Sequence, residues 1–179
     1  MDSSVAPSLP KTPQLTPVFL INLKLGGFPV PIYGDSVKDK LMVLAHVEKG
    51  EITTVENSLG LEFNVTDIHG FDDITNQKSQ DINELDCKLY GKTPEGAGVY
   101  ITYYGLIKLF KNTVDVLTKQ SMSCPFEESY VTSNPRVTLD ELADEKYRWV
   151  TKENLLGKGR FVRGPNDSLY VQYYVYVVR

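Results

Sequence analysis

The chain has 179 residues, 41% of them hydrophobic and 23% charged, which is a globular balance with enough length for one substantial core and too little for a second catalytic domain. A formal net charge of −4, with no run of Lys or Arg, gives no electrostatic footprint for a phosphate backbone, so no nucleic acid is expected as a partner. The apolar stretches are strand-sized and "MDSSVAPSLPKTP" lacks the basic start and apolar run of a secretory signal, so no membrane is expected either and the expectation is a soluble cytoplasmic protein.

Residues 1–16 hold three prolines among Ser, Thr and Ala and read as a flexible arm, because such a composition buries too little apolar surface to offset chain entropy. From residue 17 to 179 the pattern changes to short runs of Val, Ile, Leu and Tyr separated by Gly, Pro, Asn and Asp, the alternation of strands and turns in one all-β domain. "VFLINLKL" is the first run. "LMVLAHV" and "EITTVE" flank Lys49-Gly50 and read as a hairpin, with Gly50 at the tight turn. "LGLEFNVTD" follows with period-two alternation, Leu61, Phe63 and Val65 on one face and Glu62, Asn64 and Thr66 on the other.

"INELDCKLYG", "GVYITYYGLIKLF", "ESYVT", "YRWV", "GKGRFVRG" and "SLYVQYYVYVV" bring the set to about ten strands. The one helical signal lies near residues 138–144, where Thr138 and Glu141 have the spacing of a capping box. In the last strand Leu169, Val171, Tyr173, Val175 and Val177 share a face opposite Tyr170, Gln172, Tyr174 and Tyr176. "GVYITYYG" repeats the split, with Val99, Ile101 and Tyr103 opposite Tyr100, Thr102 and Tyr104. Large side chains on both faces point to an antiparallel barrel or sandwich, and a barrel of about eight to ten strands has room for a small ligand.

Chemistry-bearing signals are few. The sequence has no GxSxG, P-loop, GxGxxG, HExxH or EF-hand pattern. Cys87 and Cys124 form no metal-ligand spacing and read as reduced thiols, so no cofactor and no metal is expected. "HGFDD" places His69 beside Asp72 and Asp73. It reads as a polar turn, a general base with its orienting partner, or three ligands of an incomplete metal site. Trp149, the single tryptophan, shares a strand face with Tyr147 if "YRWV" is extended, as a core anchor or as a pocket wall. Arg160 and Arg163 suit a carboxylate-bearing ligand, although arginines in such loops are more often solvated.

Four segments together resemble a family of small β-barrels known as domain of unknown function 3237, or uncharacterised protein family 0311. The family pattern runs through a GG-x-DW-like segment, DGA followed by an IYV-like strand ending in Gly, a Y-x-W segment and a V-x-Y-x-V-Y-like strand. "HGFDDI", "EGAGVYITYYG", "YRWV" and "LYVQYYVYVV" stand at these places. Asp72 keeps the acidic position of the first motif, while Asp73 replaces its aromatic residue, His69 its first glycine, and Glu95 the Asp before Gly96-Ala97. The resemblance implies a lipocalin-like antiparallel barrel with a central cavity, and no particular reaction. The leading expectation is a small, partly apolar organic ligand held among Tyr100, Tyr103, Tyr147 and Trp149, with His69, Asp72 and Asp73 as the polar end. The alternatives are a cofactor-independent isomerase, cyclase or hydrolase using His69 or Asp72 as general base, and a homo-oligomer joined through exposed strand edges.

Overall fold

The computed structural model describes residues 12–179. Nine strands form one antiparallel sheet: β1 (Leu15–Leu25), β2 (Val30–Asp35), β3 (Lys40–Thr54), β4 (Val65–Gln77), β5 (Ile82–Lys92), β6 (Gly98–Lys108), β7 (Tyr130–Leu139), β8 (Leu155–Arg163) and β9 (Leu169–Val178), with a short helix α1 (Lys111–Leu117) between β6 and β7. Their order is β1-β9-β8-β7-β6-β5-β4-β3-β2, and β1 also pairs with β3. That last pairing closes eight strands into a barrel and leaves β2 as an extra strand on the outer half of β3. The first eleven residues of the expected arm lie outside the described residues. The barrel begins at Leu15, two residues earlier than expected, and Gln14 and Arg179 exchange backbone hydrogen bonds at 2.7 and 2.9 Å.

Alternation sorts the side chains. Leu89, Ile101, Val175 and Val177 point inward and are almost wholly buried, and Tyr103 and Tyr173 accompany them. The aliphatic face of β9 and the Val99/Ile101/Tyr103 face of β6 are therefore the interior ones. Burying apolar surface at roughly 25 cal/mol per Å² makes this inner lining the main stabilising contribution.

Several sequence expectations are corrected. Residues 40–54 form one long strand and not a hairpin at Lys49-Gly50. Gly50 instead lies between two register shifts in the β3–β4 ladder, opposite Leu23 on β1 and Ile68 on β4. The bulge lets β3 turn from its partnership with β2 to its partnership with β1. A Cβ at Gly50 would stand 2.6 Å from Leu23 Cδ2 and 2.9 Å from Asn22 O, so closure demands glycine there for space. Residues 61–64 keep their alternation in burial, with Phe63 inside, but lie outside the ladder before β4 begins. The helix expected near 138–144 is absent, because Thr138 pairs with Tyr100 as part of β7. The helical turn comes later, over Glu145–Thr151, where Asp144 accepts from the Lys146 amide at 3.0 Å. That turn contains "YRWV", which is consequently not a strand.

One end of the barrel is stoppered. Segment 55–64, folded around Asn57, which bonds Val55 O, Leu61 O and two backbone amides, crosses it together with the Glu145–Thr151 turn. Phe19 and Phe63 approach at 5.4 Å between ring centroids, Phe63 and Tyr147 at 5.9 Å, and the Trp149 indole N–H donates to Glu62 O at 2.8 Å. The other end carries the β2–β3 hairpin, α1 and the β8–β9 connection.

Gly50→Ala is expected to lower unfolding free energy by about 1–3 kcal/mol through overpacking of Leu23 and the β1 carbonyl. Urea unfolding followed by Trp149 fluorescence measures it, and an unchanged midpoint would show that the β1–β3 junction is not tightly packed at this position.

Candidate functional site

"HGFDDI" lies in the middle of β4, not in a turn, and the strand separates its members. Gly70, Asp72 and Ile74 face the interior while His69, Phe71 and Asp73 face out. The proposed His69/Asp72/Asp73 cluster is thus not formed, because residues of opposite parity on a strand stand on opposite sides of the sheet. On the outside, His69 heads a cross-strand ladder with Tyr90 and Tyr100, at ring-centroid separations of 6.0 and 5.3 Å. Its Nδ1 is 3.1 Å from Asp67 O. Asp73 meets Lys88 at 3.8 Å, and Lys88 is held more closely by Asp86 at 2.9 Å. Tyr147 and Trp149 belong to the stoppered end. Of the seven residues proposed from sequence, only Asp72 and Tyr103 come together inside the barrel.

The interior group that does form follows the ladder. Asp72 on β4 is opposite Cys87 on β5, which is opposite Tyr103 on β6. The Tyr103 ring lies 5.6 Å from that of Tyr173 on β9. Asp72 accepts one hydrogen bond, from the Asp86 amide at 3.1 Å. Burial pushes its carboxyl up from the ordinary 3.8 to about 7, against the lowering effect of that amide and with a further upward push from Asp73 and Asp86. Burial likewise raises the Cys87 thiol and the Tyr103 and Tyr173 hydroxyls, so all three stay protonated, and Tyr103 hydrogen-bonds Cys87. Ser133 also faces inward from β7, and its Oγ is buried with no hydrogen-bond partner among the described residues.

A cavity of about 470 Å³ opens at the unstoppered end. Its apolar wall includes Val43, Ala45, Ile74, Ile107, Leu117 and Phe161, and its rim carries Lys24, Glu48, Lys119, Arg163 and Asp167. Ala45 is the cross-strand partner of Asp72, and Ile74 is the next inward residue along β4. Asp72 is not itself part of the wall, but it follows directly beneath it. None of the rim was predicted as the ligand pocket, because its members come from β1, β3, β8 and the connections after β6 and β8. Arg163 is the exception in kind: its sequence context suits carboxylate binding in solvated surroundings, and the fold buries it at the end of β8. Among the described residues no group of three or more His, Cys, Asp and Glu side chains is placed to hold a metal ion, and no helix is long and apolar enough to cross a membrane.

Comparisons with known proteins agree with this architecture. The model of a family described as a protein of unknown function, DUF3237, matches residues 13–178. A conserved protein of unknown function from Rhodopseudomonas palustris superposes with a TM-score of 0.67 at 20% identity, covering 96% of this chain and 100% of its own. A β-barrel-like protein from Acinetobacter baumannii gives 0.63 at 15% identity, covering 96% and 99%. A protein from Penicillium herquei described as an enzyme gives 0.58 at 15% identity with the same coverages. No curated protein matches the chain.

A carboxyl that stays protonated to about pH 7 when folded, but ionises near 3.8 when exposed, favours the folded state fully below pH 3.8. That contribution falls as pH rises towards 7, by on the order of 4 kcal/mol across the interval. Asp72→Asn removes the titration. Thermal melts between pH 4 and pH 8 are expected to show the variant gaining on the wild type as pH increases, and parallel curves would place Asp72 in contact with water.

Proposed function

We propose, from the premise that the chain belongs to the DUF3237 family, that it binds a small, partly apolar organic molecule at the open end of the barrel. The observation that carries this reading is the cavity itself. About 470 Å³ falls within the roughly 300–1,000 Å³ common to small-molecule sites, and an apolar wall with a few polar groups at its edge is the usual composition of such sites. The wall supplies most of the binding free energy by removing ligand carbon from water, and the rim leaves room for a polar end group. Two interior groups with unused hydrogen-bonding capacity, Asp72 and Ser133, face the same core below the wall. Of the wall residues, Ala45 is the cross-strand partner of Asp72, and its small side chain leaves space at the floor.

A second reading uses the same cavity for acid–base catalysis. It is favoured by Asp72, a buried carboxyl pushed to about 7, because a group that exchanges its proton near neutral pH serves equally as acid and base. The occurrence of this barrel in a Penicillium herquei protein described as an enzyme is in keeping with it. His69 has no part in this reading, since it stands on the outer face.

Native mass spectrometry of freshly purified protein is expected to show a defined mass excess that is lost on denaturation. Ala45→Phe, which fills the floor, is expected to abolish that excess while the folded mass distribution is kept. An excess that survives Ala45→Phe would place the ligand elsewhere, and no excess combined with no calorimetric response to a metabolite panel would refute binding. For the second reading, wild type and Asp72→Asn are expected to yield different extracted molecules, product from one and substrate from the other. Identical extracts would leave the protein a binder.

A further inference from the structure

The rim of the cavity is more specific than its wall. Three cationic side chains, Lys24, Lys119 and Arg163, and two anionic ones, Glu48 and Asp167, border the mouth. This gives a local excess of positive charge on a chain whose net charge is −4. The charges are not scattered. Lys119 and Arg163 converge on the single carboxylate of Asp167: Arg163 Nη1 donates to Asp167 Oδ1 at 3.0 Å, and Lys119 pairs with the other oxygen. Together these cations hold the Asp167 carboxyl below its ordinary range, the Lys119 hydrogen bond contributing most.

The two cations are held differently. Arg163 is buried and fixed by the fold: its Nε donates to Val116 O at 2.8 Å and its Nη2 to Leu117 O at 2.9 Å, at the end of α1. Its direction towards the mouth is therefore set before any ligand arrives, and a planar guanidinium presented at a fixed angle suits a carboxylate. Lys119 has a half-exposed side chain whose ion pair is with Asp167. Asp167 belongs to the short turn Pro165–Asp167, and its side chain is also about half exposed. Arg163 Nη1 also donates to the Asp167 backbone carbonyl at 3.0 Å, so the turn is held through its main chain, and the carboxylate is a part-exposed group at the edge of an apolar cavity.

We propose that the ligand is an organic acid whose carboxylate binds Lys119 and Arg163 in place of Asp167, with its apolar body against Ile74, Ile107 and Phe161. This rests on the cavity reading above and adds the ligand's charge and polarity of entry. The Asp167 carboxylate is an internal stand-in: it satisfies the cations when the cavity is unliganded and competes with the ligand for them. The neighbouring Ser168 and Leu169, also at the cavity, then meet the acid's first carbons. An uncharged molecule of the same shape gains only the wall.

The test is calorimetric titration of the full chain with a matched pair of probes, 4-phenylbutanoate and 4-phenyl-1-butanol, at pH 7.5. Wild type is expected to bind the acid about fivefold more tightly than the alcohol, the scale of a partly exposed ion pair. Asp167→Asn is expected to tighten the acid by about threefold and leave the alcohol unchanged, while Lys119→Ala removes the preference for the acid. Equal affinity of the two probes in wild type would overturn the proposal and leave the cavity reading standing. An Asp167→Asn variant that weakens both probes alike would overturn it too, by assigning the carboxylate to holding the turn. Binding of neither probe would count against this proposal and the cavity together.

Discussion

Everything in this protein depends on β1, which pairs with β9 along one edge and with the inner half of β3 along the other. Without that double partnership the sheet is an open, twisted layer whose apolar face meets water. With it, eight strands enclose their own core and no barrel strand keeps a free edge in that region. The contact is close enough that β3 must lose a side chain at Gly50 to pass Leu23 and Ile68. It also needs a register irregularity on β1 itself, between Pro17 and Phe19, where consecutive residues Val18 and Phe19 are both buried.

Closure determines the electrostatics of the interior. A carboxyl on an open sheet would be hydrated and ionised, whereas Asp72 in the closed barrel has one amide donor and apolar neighbours, and it keeps its proton to near-neutral pH. Cys87, Tyr103 and Tyr173 share that environment and are rendered unreactive as anions by it. The same low polarity that makes the thiol inert makes the carboxylic acid versatile, since its shifted range brackets physiological pH.

The two ends of the barrel divide the remaining roles. The aromatic stopper of Phe19, Phe63, Tyr147 and Trp149 fills one end with interlocked rings and an indole hydrogen bond. The other end is held by Arg163, which ties α1 to the β8–β9 connection through backbone carbonyls and the Asp167 side chain. A scaffold residue therefore also presents charge at the entrance. The burial of this cation is offset by its hydrogen bonds to Val116 O, Leu117 O and Asp167.

The all-β class, most strand positions and the pairing of faces along β6 and β9 are legible in the amino-acid order alone, because period-two alternation is local and survives any arrangement of neighbours. That order also pointed to Asp72 and Tyr103, the two proposed residues that share the interior. It did not determine which face was inside, since Tyr-rich and Val-rich faces are both apolar enough to be buried until closure selects one. Lys49-Gly50 and "YRWV" carry local signals of a turn and a strand that the fold overrides: glycine marks close approach as readily as a turn, and the aromatic and β-branched content of "YRWV" suits a strand until Glu62 O takes the Trp149 indole N–H. The separation of His69 from Asp72, the stoppered end, and the meeting of Lys119, Arg163 and Asp167 at one mouth were decided only by tertiary structure. Each depends on contacts between distant segments, which no local pattern encodes.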